Sequence, residues 1–314
     1  MSQRAPSPHR RAGLPTAVHI YEVGPRDGLQ NESVTVPTST KAEFITRLVA
    51  AGLRTVEATS FVSPAWVPQL GDAEDLFSRL ERRPGVRFPV LVPNLAGLRR
   101  ARAAGAGDIA VFASATESFA RRNLNRTVEE SLDMFAAVVS AARQDGLWVR
   151  AYLSMCFGDP WEGDVPIARV VDIADRLMDM GIDQLSLGDT TGVATPGHVT
   201  DLIGALTEAA IPAASLAVHF HDTYGQALAN TLAALEAGIT TVDSSAGGLG
   251  GCPYAESATG NLATEDLVWQ LHGLGIETGV DLEALVATSG WMAVQLGRPS
   301  VSRVVQALGP GTAG

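Results

Sequence analysis

Two hydrophobic periods alternate along the chain. Stretches with apolar residues every three or four positions, the spacing of one helix face, give way to short runs that are mostly apolar, the pattern of buried strands. The junctions fall at Gly52, Gly105, Gly146, Gly181 and Gly238, where a helix C-terminus accepts a left-handed residue. The runs that follow, 53–61, 108–114, 147–154, 182–190 and 239–245, read as strands, and so do 18–23, 87–93 and 215–222. Eight strands separated by helices specify a parallel sheet covered by helices. The count predicts closure into a TIM (β/α)8 barrel, with an open doubly wound sheet as the alternative. No GxGxxG follows the first strand, which removes the main reason to prefer a dinucleotide-binding fold. Residues 281–296 predict an additional C-terminal helical segment packed beside the barrel.

Length agrees with this reading: 314 residues suit one barrel, which needs about 250. No linker marks a second domain. Residues 1–15, basic and proline-rich, are expected to be a disordered leader, and 16–314 a single catalytic domain whose C-terminal helices begin near 281. With 46% hydrophobic and 18% charged residues a large core is expected. The net charge of −11 argues against a nucleic-acid partner, so an anionic substrate must be held locally, by a metal or a few arginines.

The single lysine, Lys41, falls in a predicted surface helix. Schiff-base carbon–carbon chemistry needs a lysine inside the site, so metal assistance is the better expectation. Two cysteines, Cys156 and Cys252, make no disulfide framework and fit a reducing, cytoplasmic setting. A transit peptide in the leader, and so the mitochondrial matrix, is the alternative. No apolar run reaches the ~20 residues of a membrane span, so no membrane partner is expected.

Barrel enzymes carry their chemistry at the C-terminal ends of the strands, and polar residues collect there. The first strand ends in Glu22-Val23-Gly24-Pro25-Arg26-Asp27-Gly28-Leu29-Gln30. Glu57 interrupts the second strand, where a buried carboxylate calls for a partner such as Arg26. Arg150 and Tyr152 belong to the fifth strand and Asp189 to the sixth. His219 and His221, two apart on the seventh, point to one face, as a shared cation or a hydrogen-bonded histidine pair would require. Asp27 is either a turn-capping aspartate or a ligand. Cys252, among the glycines of 247–251, reads as a reactive thiol on a loop closing over the site.

Five segments, 24–32, 57–64, 186–190, 219–226 and 248–255, followed by 260–266, resemble the motifs of the 3-hydroxy-3-methylglutaryl-CoA lyases, members of the DRE-TIM metallolyases. The resemblance covers about residues 18–300. It implies that Asp27, His219, His221 and Asn261 bind Mg2+ or Mn2+. Arg26 would stabilise an enolate oxygen, Glu57 and Asp189 would orient the arginine and the substrate, and Cys252 would supply or relay a proton. Gln30, Arg150 and Tyr152 would contact substrate, with His219, Asp27 or Asp189 as the base. The implied reaction is retro-Claisen cleavage of an acyl-CoA to acetyl-CoA and acetoacetate by a homodimer, as in leucine degradation or ketone-body metabolism. A related lyase for a bulkier 3-alkyl substrate, a condensing acyltransferase and an inactive binding barrel are the alternatives. Three segments depart from the family: Ser33 replaces a lysine, Asp159-Pro160-Trp161 a Cys-Pro-Tyr, and Glu256-Ser257 a less acidic stretch.

Overall fold

The computed structural model describes residues 5–250 and 260–309. Strands β1 (His19–Glu22), β2 (in two pieces, Thr55–Val56 and Thr59–Ser60), β3 (Val90–Leu91), β4 (Asp108–Ser114), β5 (Trp148–Ser154), β6 (Gln184–Asp189), β7 (Leu216–Phe220) and β8 (Thr241–Ser244) are all parallel to their neighbours. The first piece of β2 pairs with β1 and the second with β3, while β1 also pairs with β8. The row therefore closes on itself as a TIM barrel, and all eight expected strands are present. The break in β2 falls at Glu57-Ala58, where the strand turns its carboxylate inward.

Helices α1 (Thr38–Ala50), α2 (Ala73–Ser78), α3 (Leu95–Ala103), α4 (Glu117–Leu124), α5 (Val128–Gln144), α6 (Ile167–Asp179), α7 (Pro196–Glu208), α8 (Ala227–Glu236) and α9 (Thr264–Gly273) accompany the strands in chain order. The expected terminal segment is α10 (Leu282–Leu296), and a further helix, α11 (Arg303–Leu308), follows it. Phe44, Leu48, Leu132, Phe135, Val170 and Leu177 are among the helix residues buried in one continuous core with the strands. Burial of such side chains, about 1.5–3 kcal/mol each, is the main source of stability here. No helix among the described residues is long and apolar enough to cross a membrane. Residues of the expected leader make defined contacts: His9 N–H donates to the Gly273 carbonyl at 2.7 Å, and Arg11 pairs with Glu236 at 2.6 Å.

One expectation is corrected. Lys41 is not a surface residue; it is 1% exposed, with its ammonium on the Gln69 carbonyl and, at 2.8 Å, on Asp72. The early turns of α1 pack under the 62–72 loop, which an isolated helical periodicity does not reveal. Lys41 staples that loop and does not line the barrel-mouth cavity, which keeps the chain's lysine away from any Schiff-base chemistry there.

Two buried carboxylates set an expected pH dependence. Burial raises Glu22 to about 7 and Glu265 to about 8, against an ordinary value of 4.5. Between pH 4.5 and 7 such groups stay protonated in the fold yet ionise when unfolded, so the stability they allow is present below pH 4.5 and lost as pH rises through 7–8. Melting temperature is expected to fall between pH 5 and 8, and Glu265→Gln to flatten that fall. A Glu265→Gln profile parallel to wild type would refute the assignment.

Candidate active site

The turn after β1 aims two residues at the barrel mouth. The N–H groups of Arg26, Asp27 and Gly28 all point at the Val23 carbonyl, at 3.1, 2.8 and 3.1 Å, which winds Gly24–Gly28 into a single π-helical turn. Such turns concentrate at functional sites because they rotate side chains out of helical register. Glu22 locks the turn: its carboxylate accepts from Gly24 N–H and Ala246 N–H, each at 2.8 Å, and from the Thr264 hydroxyl at 2.6 Å. Gly28 is needed for close approach, since a Cβ there would lie 2.7 Å from Ser245 Oγ and 2.8 Å from Leu249 Cβ.

His219 and His221 do share a face, with ring centroids 5.4 Å apart. Asn261 joins them because residues 260–262 pair with the end of β7: Asp222 N–H donates to Gly260 O at 2.7 Å and Leu262 N–H to Phe220 O at 3.1 Å. Its amide nitrogen donates to Asp27 Oδ2 at 2.8 Å and to Leu249 O at 3.0 Å. Gly250, at φ +98°, permits this, because a Cβ there would lie 2.6 Å from that nitrogen. One ligand atom each from Asp27, His219 and His221 lies within 4.8 Å of the others.

The cluster passes a further test of fit for a cation. His221 Nδ1 and Asn261 Oδ1 are buried polar atoms with no hydrogen-bond partner, a condition costing about 1–3 kcal/mol per group that a shared cation would relieve. Burial, with His219 nearby, pushes His221 down to about 3, which keeps its imidazole neutral. Burial alone would raise Asp27, but Arg26, His219 and Asn261 hold it at about 2, an anion at any working pH. An anionic oxygen, an amide oxygen and imidazole nitrogens are a donor set suited to a divalent cation.

Beneath the cluster two ion-paired layers orient the rest. Arg26 Nε donates to Glu57 at 2.5 Å and its Nη1 to Asp27 at 2.6 Å, so the partner foreseen for Glu57 is found. The Tyr152 hydroxyl also donates to Glu57, at 3.2 Å, and the Arg26 guanidinium lies 5.4 Å from the Tyr152 ring centre. Arg150 lies one layer deeper and does not line the cavity, unlike the substrate contact expected of it. Fully buried, it pairs with Asp243 at 2.5 Å. Asp243 also accepts from Ser186 at 2.9 Å and meets His219 Nδ1 at 3.3 Å, which leaves Nε2 for the cavity.

Asp189 is spent on backbone: its carboxylate accepts from Val193 and Ala194 N–H at 3.0 and 3.1 Å, and burial raises it to about 7. Cys252 lies outside the described residues, whereas Cys156 is fully buried and its thiol is pushed up to about 12, so it is inert. Asp243 went unnoticed in sequence, and Glu22 stood out only as a polar residue at the end of the first strand, with no role attached. Each is an acid inside an apolar strand, the same signal that singled out Glu57.

A cavity of about 890 Å³ opens over these groups. Arg26, Asp27, Tyr152, His219 and His221 line it together with Gln30. Its outer lining includes Trp66, Arg122, Asn123 and Arg126, which are exposed.

A TIM barrel with a carboxylate–imidazole cluster and a buried arginine at its mouth defines a barrel enzyme built around a metal centre. The chain belongs to the HMGL-like family, whose model matches residues 17–291. It is 54% identical over 296 residues to the mitochondrial hydroxymethylglutaryl-CoA lyase of Arabidopsis thaliana, which covers 94% of this chain and 63% of that protein. Curated relatives carry both mitochondrial and cytoplasmic names. The HMG-CoA lyase structure from Bacillus subtilis superposes with a TM-score of 0.93 at 46% identity, covering 95% of this chain and 99% of the other. An Acinetobacter baumannii HMG-CoA lyase in complex with coenzyme A and 3-methylmalate matches at a TM-score of 0.89 and 35% identity, covering 97% and 98%.

Proposed function

We propose that the chain is an HMG-CoA lyase, cleaving (S)-3-hydroxy-3-methylglutaryl-CoA between C2 and C3 to acetyl-CoA and acetoacetate. The observation that carries the reading is the Asp27–His219–His221 cluster, with the unpartnered oxygen of Asn261, set directly beside Arg26. These four residues would hold the cation, Mg2+ or Mn2+. When bound it supplies the Lewis acidity that lowers the pKa of the substrate's tertiary hydroxyl.

The chain's own groups do the rest. Arg26, held as a fork between Glu57 and Asp27, faces the cavity as a fixed cation for the enolate oxygen that develops as the bond breaks. Of the groups considered as base, Asp189 is committed to backbone and does not line the cavity. Asp27 and His219 do line it, and the strongly lowered pKa of Asp27 makes it the weaker acceptor. Cys252, in the segment after Gly250, is the proposed proton donor to the enolate. Arg122 and Arg126 at the outer end suit the phosphates of a coenzyme A thioester, and Gln30 and Tyr152 the acyl part. The resemblance further implies a homodimer, which light scattering would measure.

The test is release of acetyl-CoA by pure, metal-stripped protein titrated with Mg2+ or Mn2+, on a panel of 3-hydroxyacyl-CoA thioesters. HMG-CoA is expected to be the best substrate, with turnover restored by metal. No metal-dependent release from any member would refute the lyase reading, and preference for a longer 3-alkyl group would reassign the substrate.

A further inference from the structure

The 159–163 turn is the segment in which Asp159-Pro160-Trp161 departs from the family pattern, and its two carboxylates and its indole are all engaged. Asp159 and Gly163 exchange backbone hydrogen bonds at 2.9 and 2.8 Å. Asp159 Oδ1 accepts from the N–H groups of Trp161 and Glu162 at 2.7 and 2.9 Å, and Oδ2 takes the Thr116 hydroxyl at 2.6 Å. Glu162 then accepts from Ser118 N–H at 2.6 Å, satisfying a donor in the first turn of α4. The turn is thus docked on α4 by two carboxylates. Arg122 stands one helical turn beyond Ser118 on the same helix face. Its guanidinium carbon lies 4.2 Å from the Trp161 ring centre.

Arg122 and Arg126 differ from their surroundings. Arginines around the start of α5 are paired with carboxylates: Arg121 with Glu117 and Arg176 with Glu129. Among the described residues neither Arg122 nor Arg126 has a carboxylate within salt-bridge distance, although the protein is strongly acidic. Both line the outer end of the cavity.

We propose that Trp161 is a positioning residue for thioester binding: its indole holds the Arg122 guanidinium at the cavity's outer end, where that cation meets the phosphates of the coenzyme A moiety. The inference rests on the lyase reading for the identity of the thioester. A guanidinium stacked by its face keeps its N–H edges free for phosphate oxygens. Stacking also removes rotamer freedom that an unsupported arginine side chain would lose on binding. An indole has the strongest ring face for a cation, and Trp161 is 39% exposed, placed at the surface where the nucleotide end would lie.

The test is Trp161→Leu, with Trp161→Phe as the rescue, each first checked by melting temperature. Affinity for free coenzyme A is measured by calorimetry, and KM and kcat for HMG-CoA and for the HMG thioester of pantetheine, which lacks the nucleotide. Trp161→Leu is expected to weaken coenzyme A binding and raise KM for HMG-CoA about three- to tenfold, with kcat held. The pantetheine thioester is expected to show no change in KM, and Trp161→Phe to recover most of the loss. Unchanged coenzyme A affinity, or equal losses on both thioesters, would overturn the proposal. A wild-type protein that binds coenzyme A but releases no acetyl-CoA from HMG-CoA would instead defeat the lyase reading alone.

Discussion

Replacing Arg26 by methionine is expected to lower kcat and kcat/KM together, by about 10²–10³-fold. Arg26 is nearly buried, its Nε on Glu57 at 2.5 Å and its Nη1 on Asp27 at 2.6 Å, so its position is set before substrate arrives. A donor held still in a water-poor site is worth most against charge that appears only in the transition state, which is why both constants should fall equally. Methionine matches much of the stem but leaves Glu57 buried without its cation, and the carboxyl, already raised by burial, would rise further. Some stability is lost with it. Arg26→Lys should recover little, because a point charge cannot engage Glu57 and Asp27 as a fork. A folded Arg26→Met protein that binds metal normally and turns over within tenfold of wild type would remove Arg26 from the mechanism.

Asp243→Asn is expected to act on metal binding and on folding at once. Asp243 receives Arg150 from one side and meets His219 Nδ1 from the other, and neither it nor Arg150 touches water. Arg150 holds Asp243 low in pKa against burial, so the pair is ionic. The neutral amide leaves a buried guanidinium without its counter-charge, a loss of as much as about 3 kcal/mol. It also frees the His219 ring, and partners of this kind are worth about 10–100-fold in metal affinity. Calorimetric titration with Mn2+ and thermal melts read the two effects separately. Wild-type metal affinity in the folded variant would show that Asp243 does not orient His219.

These two variants also mark how far the sequence could be read. Local rules sufficed for the strands, the C-terminal helix and the polar strand ends, because a side chain's face on a strand is set by its own neighbours in the chain. His219 and His221 were therefore placed on one side without any knowledge of the fold. Glu57 stood out as a carboxylate among apolar residues, and the cost of burying a lone charge called for a partner such as Arg26.

What the tertiary structure decided is most relations between distant segments. Asn261 reaches the cluster only because 260–262 pair with the end of β7, some forty residues earlier in the chain. Arg150 looked like a substrate contact at the strand level, yet barrel closure brings Asp243 across the interior and sinks both into a layer below the cavity. Lys41 has a surface helix's periodicity and a buried lysine's environment, because the 62–72 loop folds over α1. So the sequence by itself determined the barrel, its polar mouth and the histidine pair, all of which depend on spacings within single elements. Which groups sit on the cavity and which hold others in place was left to packing, since burial and charge pairing are properties of elements brought together.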